Sequence, residues 1–107
     1  LRRARRAVKA LAFGEVKVDV ERRKVLVKGR EASLSRKELD ILLFLARNEG
    51  RAVTRAEVLT AVWGHFASSA DRAVDFHILN LRRKLEADPE SPRHIVTRYG
   101  EGYELVM

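Results

Sequence analysis

The sequence predicts an α+β domain: an antiparallel meander, then three helices, then a closing hairpin. Three observations point to it. Apolar residues alternate with period two over residues 11–34, recur at helical spacing from 39 to 85, and end in two β-prone runs around a glycine turn. The chain has 107 residues, enough for one domain to bury a core without metals or cross-links.

"LAF" before Gly14 reads as a short strand. In "EVKVDV", Val16, Val18 and Val20 alternate with charged residues, as a half-buried strand requires. "ERR" at 21–23 is a turn, "KVLVKG" is a strand ended by Gly29, and "REASL" is one more strand. At Ser35 the period changes. Ser35 and Glu38 have capping-box spacing, in which the hydroxyl accepts the N3 amide and the carboxylate reaches back to the cap. Leu34 and Leu39 flank the cap as a staple. The helix that follows carries Leu39, Leu42, Leu43 and Ala46 on one face, widened by Ile41, Phe44 and Leu45, and stops near 48–50.

Thr54 and Glu57 repeat the capping device, with Val53 and Val58 as staple. This second helix is short, turns Val58, Leu59 and Val62 inward, and stops at Gly64. "HFASSA" at 65–70 is a loop. The third helix, Asp71–Leu85, is the longest and ends before Asp88-Pro89. A hairpin over 95–99 and 103–106, turning at Gly100-Glu101-Gly102, closes the chain. Two short helices, a long one and a basic hairpin make the plan of a winged helix-turn-helix, where one helix crosses a nucleic-acid backbone and the next enters the major groove.

The third helix carries the sharpest functional signal. Val74, Ile78, Leu81 and Leu85 fall on one arc at 100° per residue. The opposite face sets Phe76 and Leu79 beside Arg72, Ala73, Asn80 and Arg83. A DNA major groove presents base edges, thymine methyls and flanking phosphates, and this mixture answers each of them. Asn80 suits an adenine edge and Phe76 and Ala73 suit methyl groups. Arg72 at one end, with Arg82, Arg83 and Lys84 at the other, suits the two phosphate walls. The competing expectation is a protein-interaction module anchored on Phe76 and Leu79. In the hairpin, Arg98 and Tyr99 alternate to opposite faces, so a cation and a ring are offered separately. Trp63 ends an apolar helix, a place that suits a core residue more often than a site, though its indole N–H can reach a phosphate if its edge is exposed.

Charge placement supports this without deciding it. The net charge is +7, but five of the basic residues lie in "LRRARRAVKA", and the rest of the chain is close to balanced. That segment reads as a solvated linker, and the lack of an initiator Met suggests a piece of a longer protein. Catalysis finds no support: His65, His77 and His94 lack metal-ligand spacing, there is no cysteine, and no glycine-rich phosphate loop joins a strand to a helix. No catalytic residue, metal or cofactor is expected. No run is long enough for a membrane span.

Trp63-Gly64, Asp75-x-His77-Ile78, Leu81-Arg82-x-Lys84-Leu85 and Gly100-x-Gly102-Tyr103, preceded by "LSRKELDILLFLARNEGRAVTRAEVL", resemble the effector domain of the OmpR/PhoB class of bacterial response regulators. The resemblance covers residues 11–107, and residues 1–10 then look like a linker or the tail of a receiver domain. It implies a four-stranded N-terminal sheet, three helices and a hairpin wing, in a cytoplasmic transcription factor governed by aspartate phosphorylation in a separate receiver domain. It implies two copies bound head to tail on direct-repeat half-sites of double-stranded DNA. By position it implies base reading by Ala73, Phe76 and Asn80. It further implies backbone contacts from Arg55, Trp63, Arg72, His77, Arg82, Thr97 and Tyr103. The loop at 65–70 corresponds to a segment that touches RNA polymerase in some members. The chain departs from the family at Asn80, where several members carry arginine, and at Tyr99, where many carry arginine before the wing glycine.

Overall fold

The computed structural model describes residues 10–64 and 71–107. Residues 1–9 of the expected linker at 1–10, and the expected loop at 65–70, lie outside the described residues, and Ala10 belongs to the first strand.

Four short strands open the fold: β1 (Ala10–Phe13), β2 (Val16–Asp19), β3 (Lys24–Val27) and β4 (Arg30–Ala32), antiparallel and in sequence order. The register explains the alternation seen in the sequence. Leu11, Val18, Val25 and Ala32 face one another across the sheet on its inner side, and Ala12, Lys17, Leu26 and Glu31 form the outer row. β1 begins at Ala10, one residue before the alternation suggested, because Ala10 pairs with Asp19. The turn after β2 is held by the Asp19 carboxylate, which accepts the Arg22 amide at 3.1 Å.

Three helices follow: α1 (Arg36–Arg47), α2 (Arg55–Trp63) and α3 (Asp71–Leu85). Both capping boxes are formed. Ser35 Oγ accepts the Glu38 amide at 3.1 Å while Glu38 Oε1 accepts the Ser35 amide at 2.9 Å. Thr54 and Glu57 do the same at 3.0 and 2.8 Å. α2 ends at Gly64, whose φ of +89° suits a residue without a β carbon. The α3 stripe of Val74, Ile78, Leu81 and Leu85 is fully inside, packed with Ile41, Leu42 and Leu45 of α1 and Val58 of α2.

The hairpin consists of β5 (Ile95–Arg98) and β6 (Gly102–Leu105), one residue earlier at each C-terminal end than the glycine spacing suggested. The turn is Tyr99–Glu101, closed by the Glu101 amide on the Arg98 carbonyl at 2.8 Å. Gly102 already pairs with Arg98, and a second neighbour explains why it is glycine. Residue 53, in the α1–α2 connection, bridges Tyr103 through two backbone hydrogen bonds of 2.7 and 2.9 Å. A β carbon on Gly102 would stand 1.9 Å from the Val53 carbonyl oxygen. The other anchor of the hairpin is Glu86, a buried carboxylate just past α3. It accepts the backbone amides of Arg93, His94 and Ile95 at 3.0, 3.0 and 2.7 Å. These contacts fix the hairpin beside α3.

Candidate nucleic-acid interface

With its inner stripe committed to the core, α3 turns the opposite face outward. Phe76 is 58% exposed and Leu79 42%, and among the described residues they are the only large apolar side chains that the helices leave exposed. Arg72 and Arg83 are exposed on the same face, with Asn80 and Ala73 half-buried at its edge. The face foreseen from the periodicity is therefore present as a surface.

One flank is built around Asp75. Its carboxylate accepts Arg55 Nε of α2 at 2.8 Å and the Tyr103 hydroxyl of β6. One acid thus ties α2, α3 and the hairpin together. Burial works against its ionisation, but the hydrogen bonds from Arg55 and Tyr103 outweigh it and hold the carboxyl below its usual range. The same contacts raise the Arg55 guanidinium above its ordinary value. The Tyr103 hydroxyl is pushed up to about 12, first by burial and then by its hydrogen bond to Asp75.

Arg82 lies next to this cluster. Its Nε donates to the Ile95 carbonyl and its Nη2 to Thr97 Oγ1, both at 2.8 Å, and its guanidinium carbon lies 5.7 Å from the Tyr103 ring centre. Arg82, Thr97 and Tyr103 are thus brought together, and Arg82 joins α3 to β5. Between the first turn of α2 and the hairpin runs a cleft of about 470 Å³, lined in part by Thr54, Arg55, Thr97, Arg98 and Gly100. Arg98 Nε spans the hairpin to Glu104 Oε1 at 2.8 Å, and Tyr99 stands at the tip, 91% exposed.

The other flank is aromatic. The half-buried Trp63 lies 5.6 Å from the His77 ring, and the His77 ring lies 5.7 Å from that of Phe76. Lys37 Nζ sits 5.1 Å from the Trp63 ring centre and donates to the Val62 carbonyl at 3.1 Å. His77 Nδ1 is buried and has no hydrogen-bond partner among the described residues.

Lys84 is directed elsewhere. Its ammonium donates to Glu38 Oε1 at 2.7 Å and to the Ser33 carbonyl at 2.9 Å, tying α3 to the start of α1. Burial raises the Glu38 carboxyl, but the Lys84 ammonium and the Ser35 amide bring it below its usual value. Arg72 and Arg83 head the exposed face, while Arg55, Lys84 and Arg98 are exposed but each paired with a carboxylate, and the half-buried Arg82 is bonded to β5.

Sequence reasoning assigned no part to Asp75, Lys37 or Glu86. Asp75 carried a signal: an acid near the wet side of a helix rich in arginine needs a partner. Lys37 and Glu86 carried none, because their partners are backbone atoms and a ring reached only through the tertiary fold.

Comparison with known proteins agrees with this geometry. Residues 29–105 match the family described as "Transcriptional regulatory protein, C terminal". The chain is 44% identical over 95 residues to the sensory transduction protein RegX3 of Mycobacterium tuberculosis, covering 89% of this chain and 42% of that protein. It is 39% identical over 94 residues to the DNA-binding response regulator MtrA of Mycolicibacterium smegmatis, covering 88% and 41%. It thus spans less than half the length of these relatives. Among solved structures, it superposes with TM-score 0.84 and 38% identity on the Thermotoga maritima response regulator DrrB, an OmpR/PhoB homolog, covering 92% of this chain and 45% of that one. It superposes with TM-score 0.80 and 32% identity on the Klebsiella pneumoniae RstA DNA-binding domain in complex with the RstA box, covering 92% and 97%. Four antiparallel strands, three helices, a closing hairpin and these matches together lead to one conclusion: the chain belongs to the family of transcriptional regulatory protein C-terminal domains, in its OmpR/PhoB class.

Proposed function

We propose that this chain binds double-stranded DNA sequence-specifically and regulates transcription as the effector end of a two-component response regulator. α3 lies in the major groove, and the hairpin and the first turn of α2 rest on flanking phosphates. The observation that carries this is the outer face of α3, where Phe76 and Leu79 stand in water between Arg72 and Arg83. A solvated helix gains nothing from that mixture, whereas a groove supplies a partner to each member.

Ala73, Phe76 and Asn80 read bases. Arg72 and Arg83 hold phosphates directly. Arg55, Trp63, His77, Thr97 and Tyr103 border the face and meet the sugar-phosphate backbone. Arg82 does so with the N–H groups left over from Ile95 and Thr97, whereas Lys84, expected on a phosphate, is paired with Glu38 and braces α3 instead. Arg98 and Tyr99 extend the contact from the wing. Arg55, in the first turn of α2, stands beside the cleft and is the cation that this end of the helix offers to a phosphate.

In the full-length protein a receiver domain precedes residue 10, with residues 1–9 as its tail or a linker. Two copies sit on direct-repeat half-sites in the bacterial cytoplasm, and the segment at 65–70 is available to RNA polymerase. No described helix is long and apolar enough to cross a membrane.

The test is a binding titration against a random duplex pool at rising salt. Affinity should fall steeply between about 50 and 200 mM salt, as phosphate contacts require, and repeated selection should converge on one sequence. An affinity for duplex that is absent or flat in salt would refute the proposal and favour a protein partner for Phe76 and Leu79.

A further inference from the structure

We infer that Leu79, which no base-reading role has yet been given, acts with Phe76 as a two-residue reader of thymine methyl groups. This rests on the DNA-binding proposal and deepens it. The two residues are three apart on α3, so they sit side by side, about 4.5 Å apart along its axis. Leu79 lies four residues before Arg83 and seven after Arg72, so the apolar ridge has a cation toward each end. The Phe76 ring lies edge-on, 5.7 Å from that of His77, which itself packs on Trp63. The surface is an apolar ridge between two positive charges.

In the major groove the phosphates lie at the walls, and the C5-methyl of thymine is the apolar group on the floor. Guanine, adenine and cytosine offer polar edges there, and a leucine pressed on them would leave donors or acceptors unpaired. The ridge therefore selects thymine at two positions. Base pairs rise about 3.4 Å each, so a helix spacing near 4.5 Å places the two thymines on neighbouring base pairs or one step further apart. An acidic protein groove would match the cations as well, but nothing in it would call for methyl groups at this spacing.

The test begins with a duplex selected from a random pool by the wild-type chain. Each thymine is then replaced in turn by deoxyuridine, which keeps the pairing edge and removes only the methyl. Two nearby positions should each lose about four-fold in affinity, the cost of exposing one methyl-sized group. The penalty at one of them should vanish in Leu79→Ala and at the other in Phe76→Ala, with both variants melting as the wild type does. Uracil tolerated at every position would overturn the inference while leaving sequence-specific binding intact, as would penalties that persist in both variants. Failure of the wild-type chain to select any duplex would overturn the inference together with the DNA-binding proposal.

Discussion

Replacing Gly102 by alanine should open the seam between the hairpin and the helices. The new β carbon would stand 1.9 Å from the Val53 carbonyl oxygen and 2.9 Å from the Thr54 α carbon, both backbone atoms that cannot rotate aside. At φ +128° a β carbon is itself strained, by about 1–3 kcal/mol. Relief requires β6 to leave residue 53, which forfeits the hydrogen bonds of 2.7 and 2.9 Å, each worth about 1 kcal/mol net. The total, about 3–5 kcal/mol, is a large part of the about 5–15 kcal/mol that holds such a domain together. Gly100→Ala is the control, because its β carbon would meet open space while its φ of +79° carries strain alone. Thermal unfolding followed by circular dichroism should place Gly102→Ala roughly 10 °C or more below Gly100→Ala, at about 4–8 °C per kcal/mol. Melting within about 3 °C of the control would refute the role given to the Val53–Tyr103 bridge.

Three further outcomes follow from the same contacts. Tyr103 has its hydroxyl raised from 10.0 to about 12, so the fold favours the neutral phenol; that stabilisation is complete below pH 10 and is lost as pH rises toward 12. In urea denaturation the advantage of wild type over Tyr103→Phe should be constant below pH 10 and shrink above it; an unchanged difference at pH 11 would count against the Asp75 contact. Asn80→Ala should relax choice at one base pair by about 1–3 kcal/mol in competition binding, without weakening all duplexes equally. Arg72→Ala should lower the slope of log affinity against log salt by about one, whereas Lys84→Ala should lower the melting temperature more than the slope, because it strands the buried Glu38 carboxylate.

Most of the fold was legible because its signals are local. Ser35 with Glu38 and Thr54 with Glu57 declare two helix starts within four residues each, and the valines of β2 alternate at the strand period. The exposed face of α3 was legible for the same reason, since four apolar residues on one arc fix what the other arc shows. What stayed hidden depends on partners distant in sequence. Gly102 reads as a turn residue, and only the approach of residue 53 shows why no other side chain fits. Asp75 meets Arg55 and Tyr103 from 20 and 28 residues away. Arg82 and Lys84 read as surface cations because a sequence displays charge without its partners; in the fold one binds β5 and the other binds Glu38.

The most direct test is nuclear magnetic resonance of the chain bound to its selected duplex, observing contacts between protein side chains and base protons. Insertion of α3 in the major groove predicts cross-peaks from the Phe76 ring and the Leu79 methyls to thymine methyl or cytosine H5 protons. A tightly bound complex in which both side chains meet only water or another protein would contradict it.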